Sequence, residues 1–191
     1  MQKRIIAAAV AAALSTVLTP AQADVKVSTK GGLKVETDDG NFMFRAGGRI
    51  HLDAAFHDDD TSDLKDGTKF RRARLFVDGV INKDWLFKAQ YDFAENSVGA
   101  KDLYIKYKPW GVTLGQFKQP LSLEELTSSN YITFIERASI NNLATSRRVG
   151  LGYNTGADNY SFAASVYGRD VGDSTTDDEG FGIGGRLTFA P

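Results

Sequence analysis

Arginine and lysine recur at every second position through several stretches of this chain. Arg45 and Arg49 share a row with His51 and Asp53, Arg72 and Arg74 with Asp78, and Lys88 with Gln90 and Asp92. Lys106 and Lys108 share a row with Asp102 and Tyr104, while Arg148, Arg169 and Arg186 close three later rows. A period of two belongs to an extended strand, whose successive side chains point to opposite faces. The chemistry open to such rows is anion binding. A guanidinium donates two parallel bonds to phosphate or carboxylate oxygens without giving up its charge.

Other chemistry finds little support. His51 and His57 are the only histidines, and neither sits in a Gly-x-Ser-x-Gly motif. A barrel phospholipase pairing His51 with a serine is the enzyme alternative; no enzymatic activity is expected. Asp58, Asp59, Asp60 and Asp63 could ligate a surface calcium ion. Their spacing matches no EF-hand loop, so a solvated acidic loop is expected, with no metal and no cofactor. The absence of cysteine excludes disulfides and thiolate metal sites.

The residues between the cations are apolar. In 42–56 the row opposite Arg45 and Arg49 is Phe42, Phe44, Ala46, Gly48, Ile50, Leu52, Ala54 and Phe56. Roughly 9–11 residues suffice to cross a bilayer when tilted, and this run is longer. In 70–81 the apolar row is Ala73, Leu75, Val77, Gly79 and Ile81; in 85–93 it is Trp85, Phe87, Ala89, Tyr91 and Phe93. Segments 100–108, 148–155, 160–169 and 181–190 repeat the pattern, whereas Gln116 and Phe117 blur the faces of 112–118. Leu33–Thr37 reads as an extra edge or periplasmic strand.

The connections alternate as well. Asn82-Lys83-Asp84, Pro109-Trp110-Gly111 and 156–159 are tight turns, separated by longer links at 57–69, 94–99, 119–147 and 170–180. Short turns at one end and long loops at the other mark outer-membrane barrels. A soluble sandwich or lipocalin-like barrel has no reason to keep that rhythm. No apolar run after Asp24 is long enough for a spanning helix, so a membrane location requires a closed barrel.

The organisation expected is therefore a signal peptide over 1–23, an N-terminal periplasmic or edge segment over 24–41, and a barrel over 42–191. Lys3 and Arg4, the apolar stretch 5–18 and Ala21-Gln22-Ala23 carry the signal-peptide reading. Its removal takes the formal net charge from −1 to −3. The fold class is all-β, an antiparallel transmembrane β-barrel of about eight strands. Eight can close a small packed barrel, but the charged inward rows and the long link 119–147 favour one half of a larger one.

Assigning the charged rows to a lumen places ten cations there against Asp53, Asp78, Asp92 and Asp102, a surplus of six. The compensating acids lie mostly in the long links. Pairing across strands accounts for some lumen charge, but not for the sign of the surplus. A positive lining in a low-dielectric wall selects anions. Nucleic-acid binding is not expected of cations on the strand interiors of an exported protein. Ser122-Leu123-Glu124-Glu125 reads as a capping box opening a short helix in a loop that could fold inward across the lumen.

An ordered set of short matches gives the family resemblance: Lys30-Gly31-Gly32-Leu33, Gly47-Gly48-Arg49, Phe70-Arg71-Arg72-Ala73, Asp84-Trp85 and Tyr91-Asp92. Leu123-Glu124, Thr127-Ser128-Ser129 and Glu136-Arg137 complete it. Through these the mature chain resembles the phosphate-selective porin O and P family. The resemblance implies homotrimers of sixteen-stranded outer-membrane barrels, half a barrel being supplied here, with the third loop folded into the lumen. It implies inorganic anions, phosphate or polyphosphate, as partners, beside outer-membrane lipid. It makes Arg72 and Arg137 constriction arginines with Ser128 and Ser129 beside them, Arg49 and Arg71 parts of a basic ladder, and Lys30 an exit-side lysine. Arg74, Arg45, Lys88 and Lys106 complete the expected lining by alternation. Three departures stand out: Glu125 where strongly phosphate-selective members have lysine, Arg74 where they have tyrosine, and Lys101 where they have an acid. Glu125 is expected to weaken anion binding, and lysine there to strengthen it. A general-diffusion porin without phosphate selectivity and a purely structural barrel are the alternatives.

Overall fold

The computed structural model describes residues 24–58, 65–94, 97–174 and 178–191. The signal-peptide segment and the acidic residues Asp59, Asp60, Asp63 and Asp177 lie outside the described residues. Ten strands follow in chain order: β1 (Val25–Ser28), β2 (Leu33–Thr37), β3 (Met43–Ala55), β4 (Gly67–Ile81) and β5 (Trp85–Asp92). Then come β6 (Gly99–Tyr107), β7 (Val112–Lys118), β8 (Arg147–Ala157), β9 (Tyr160–Tyr167) and β10 (Gly182–Phe189). Each pairs antiparallel with its chain neighbour in one sheet, and β1 and β10 form its two open edges. Leu33–Thr37 is a strand as expected. β1 is an addition that the alternation did not disclose.

The sheet is inverted relative to a water-soluble protein. Among the described residues no hydrophobic side chain is buried, whereas Asp78, Gln90, Asp92 and Asp102 are. Outward residues stand bare, Ile50 at 70% and Leu75 at 62% exposure. An apolar outer band opposite a polar interior is the arrangement of a barrel wall facing lipid. Aromatic rings gather at the tight-turn end: Tyr107 lies 4.8 Å from Trp85 and 5.4 Å from Trp110, centroid to centroid. Amphipathic rings favour that level, where hydrocarbon meets water.

The tight turns have local causes. Asn82 (φ 50°) and Lys83 (φ 63°) both take the left-handed conformation that matches the twist of a β4–β5 hairpin. Gly111 (φ 65°) lies against the Asn154 carbonyl, where any Cβ would collide.

Two bulges change the parity of the rows. Leu52 pairs with Phe70 and His51 with Arg72, so Arg71 is an extra residue on β4. Ala89 pairs with Leu103 and Tyr91 with Ala100, so Lys101 and Asp102 together oppose Gln90. A bulge adds one residue to one strand and re-aims its side chain. Phe70 thus stays outside while Arg72 stays inside.

Register also settles the faces of β7. Leu114 pairs with outward Ile105 and Leu151, which turns Thr113 and Phe117 inward. Gln116 belongs to the outer row yet is buried. Its amide donates to the Ala100 and Lys101 carbonyls (3.2 and 3.0 Å), where the β6–β7 ladder has ended.

Candidate functional site

The inward face of β3–β8 and the segment 119–146 enclose a cavity of about 800 Å³. Small side chains on the wall make room for that segment. Leu121 sits 3.3 Å from where a Cβ of Gly184 would stand, and just before the segment Phe117 of β7 lies over Gly152, its ring 2.7 Å from the equivalent point. Gln119, fully buried, fastens the start of the segment to the wall. Its carbonyl accepts from Ser165 Oγ (2.7 Å), and its amide donates to the carbonyls of Phe117 and Arg148 (3.0 and 3.1 Å).

Helix α1 (Leu123–Leu126) follows, and Ser122 Oγ caps it by accepting from the Glu125 amide at 3.3 Å. The reciprocal half of a capping box is absent. Glu125 turns instead to Ser146 Oγ (2.8 Å), Asn141 Nδ2 (3.1 Å) and Lys118 Nζ (3.4 Å). It brackets the two ends of the segment. Burial pushes its carboxyl upward, but the bonds from Asn141 and Ser146 and the charges of Lys118 and Arg137 outweigh that, holding it below the usual glutamate range.

Arg137 returns to α1, donating from Nε to the Glu124 carbonyl (2.9 Å) and from Nη2 to the Thr127 carbonyl (2.7 Å). Unpaired carbonyls at a helix end favour such a cation. Beyond the helix, Ser128 Oγ and Asn130 Oδ1 accept from Arg49 Nη1 at 3.3 and 3.0 Å. Arg72 Nη1 approaches His51 Nδ1 at 3.2 Å, and His51 Nε2 lies 3.2 Å from Asn130 Oδ1. A guanidinium only donates, so Nδ1 accepts and the ring proton sits on Nε2, aimed at Asn130. His51 and Asn130 therefore tie two strand arginines to the segment.

Nine basic side chains and two carboxylates, Asp102 and Glu125, line this cavity. Four of the cations are paired with three carboxylates: Arg74 with Asp92 (2.6 Å), Lys88 and Arg147 sharing Asp102 (2.7 Å each), and Lys118 with Glu125. Arg49, Arg72, Lys101, Lys106 and Arg137 have no carboxylate partner among the described residues. Lys106 donates to Asn154 Oδ1 at 2.7 Å. Arg49 Nε and Ser129 Oγ are buried and have no hydrogen-bond partner among the described residues.

The expected lining is thus partly assembled. Arg49, Arg72, Arg74, Lys88, Lys106, Ser128, Ser129 and Arg137 all reach the cavity. Arg45 does not: Asp78 holds it through two bonds of 2.9 and 2.6 Å, with its guanidinium over the Phe76 ring. Lys30 lies exposed in the β1–β2 turn. Arg148 yields its expected place to Arg147, and Arg169 lies beyond the end of β9, donating to the Asp178 carbonyl. Lys101, Lys118 and Arg147 line the cavity although the alternation did not select them.

Arg71 opens instead onto a second cavity of about 290 Å³, shared with Lys69, Arg72, Arg74, Lys101 and Glu136. Glu136 forms a close ion pair with Arg71 Nη1, and Asp53 stands 3.5 Å from the same atom. The Arg71 hydrogen bond holds the Glu136 carboxyl below its usual range. This cavity lies at the end of β4 joined to a long link, away from the tight turns.

Comparison with known proteins matches residues 44–191 to the family described as phosphate-selective porin O and P. Porin O of Pseudomonas aeruginosa is 31% identical over 185 residues, covering 87% of this chain and 42% of that protein. An uncharacterized protein of Caulobacter vibrioides is 26% identical over 203 residues, covering 97% of this chain and 41% of its own. The chain spans less than half the length of both relatives.

Proposed function

Since the chain belongs to the phosphate-selective porin O and P family, we propose that it forms part of the wall of an outer-membrane pore that passes phosphate-type anions. Full barrels of sixteen strands, assembly as a homotrimer and export through the signal peptide 1–23 belong to this proposal. So does the role of 119–147 as the constriction.

The observation that carries it is the cluster of cations lacking carboxylate partners. Arg49 and Arg72 are oriented by neutral acceptors, Ser128, Asn130 and His51, which hold a guanidinium without cancelling its charge. An anion stripped of water there meets Arg49, Arg72 and Arg137 together with the Ser129 hydroxyl. Charge-assisted bonds of about 1.5–3 kcal/mol each would replace its hydration. The carboxylates that remain are engaged by lysine and arginine, so they do not reverse the field.

The test is electrical. Pores of the complete polypeptide in planar bilayers should show anion-selective reversal potentials across a chloride gradient, and phosphate should block chloride current. Anion selectivity without phosphate block would support the general-diffusion alternative. Cation selectivity would overturn both, and a purely structural barrel would conduct nothing.

A further inference from the structure

The second cavity contains an anion of the chain's own. We infer that Glu136 is a tethered competing ligand: its carboxylate occupies an outer anion site built on Arg71, and an incoming phosphate-type anion must displace it. The inference rests on the proposed anion conduction and adds a regulatory residue to that path.

Three observations carry it. The β4 bulge turns Arg71 into the cavity although strict alternation would point it outward. The site stays cationic beyond Glu136: Lys69, Arg72, Arg74 and Lys101 line the same space, and its other acid, Asp92, is paired with Arg74. Glu136 also fills the site incompletely. Its side chain is 71% exposed, and it meets Arg71 through Nη1 alone.

A guanidinium favours the two-toothed geometry of phosphate or carboxylate oxygens, donating from two nitrogens at once. Glu136 uses one. A phosphate could engage Nη1 and Nη2 together, so displacement exchanges a contact through one nitrogen for a forked one. Exposed pairs are weak, which keeps the exchange reversible, and the tether keeps the carboxylate at a high local concentration. Arg72, Arg74 and Lys101 face both cavities, so an anion released from the outer site passes directly to cations of the inner one.

The experiment uses the complete polypeptide in planar bilayers, with inorganic phosphate added from the long-loop side against a chloride current. Glu136→Gln keeps the size and one acceptor but removes the charge. It should lower the phosphate concentration for half-block about three- to fivefold, the scale of one exposed ion pair. Arg71→Gln should raise that concentration.

Opposite signs are what a competing ligand predicts. If Glu136 only fastens the loop, both substitutions weaken the same contact and should move the block in one direction. That result, or an unchanged block in Glu136→Gln, would overturn the inference. Loss of phosphate block from Arg72→Gln beside an unchanged Glu136→Gln would overturn it while leaving the anion site intact. No block in the unaltered pore would overturn the proposed conduction first.

Discussion

Two sets of cations share the inner wall, and they differ in what holds them. Arg45, Arg74, Lys88 and Arg147 lie against Asp78, Asp92 and Asp102, at nitrogen–oxygen distances of 2.6–2.7 Å. Arg49, Arg72 and Arg137 lean on a hydroxyl, an amide, an imidazole and two backbone carbonyls. Both sets have fixed geometry, but the second keeps its full charge for a ligand, whereas three carboxylates offset most of the first. Position in a basic row therefore does not make a binding residue; the identity of the partner does. Acid partners turn a cation into scaffold, and neutral partners turn it into a site.

The comparison depends first on which face is the lumen, and the largest expected effect tests that. Leu103→Arg should cost roughly 2–4 kcal/mol if the residue sits near the bilayer midplane. Lys106→Arg on the opposite face should be nearly silent. Folding into lipid vesicles, titrated with urea, reads both. Cysteines at Phe87, Tyr91, Leu103 and Ile105 should resist a membrane-impermeant thiol reagent, while those at Lys88, Asp92 and Lys106 react. Equal labelling would end the assignment of faces.

Next comes the neutral-partner set itself. Arg72→Gln should weaken phosphate block by about 1.5–3 kcal/mol, tenfold or more, and Arg49→Gln by a similar factor. Arg45→Gln should leave the block nearly unchanged, because Asp78 already occupies that guanidinium. Equal losses at all three positions would dissolve the distinction.

Much of the wall was legible in the residues because period two is a strong signal wherever the two faces meet different solvents. The outward rows of β3, β4, β5 and β9 follow it directly, as does the alternation of tight turns with long links. The bulges were not legible. Nothing in Phe70-Arg71-Arg72 says that one residue will be left unpaired, since that depends on where β3 and β4 lock their register. Lys101 escaped notice for the same reason on β6. Residues of the segment 119–146 were hidden more deeply. The roles of Gln119, Asn130 and Glu125 rest on partners far away in sequence, such as Ser165, Arg49 and Ser146. Ser128, Ser129 and Arg137 came from family resemblance alone, although all three reach the cavity.

A smaller effect tests whether a scaffold cation can become a site cation. Asp92→Asn keeps an acceptor for the Ala73 amide (3.1 Å) but removes the charge that neutralises Arg74. Arg74 faces both cavities. The reversal potential should therefore move further toward the anion limit, by less than Arg72→Gln moves it back. No movement would mean that Arg74 is masked by something other than Asp92.

The subtlest test concerns Glu125, where position and surroundings point in opposite directions. As a negative charge on the cavity wall it was expected to oppose anions, so that lysine would strengthen binding. Its contacts argue for the opposite sign. Glu125 is buried, and its oxygens are engaged by Ser146, Asn141 and Lys118. Lysine there would face Lys118 and leave Ser146 and Asn141 without their acceptor, loosening the segment that carries Arg137. Glu125→Lys should therefore weaken phosphate block and make the open current noisier. Glu125→Gln, which keeps the acceptor, should change block less than either arginine substitution. The sign of the pH dependence follows from the depressed carboxyl. A group held below its ordinary value stabilises the fold above the ordinary range and loses that contribution as pH falls through the held value. Open-channel noise should stay level from neutral pH through the usual glutamate range and rise only at more acid pH. In Glu125→Gln that step should vanish. A step at the ordinary glutamate value would mean that the carboxylate is free in the lumen, and that it acts on anions directly rather than through the segment it braces.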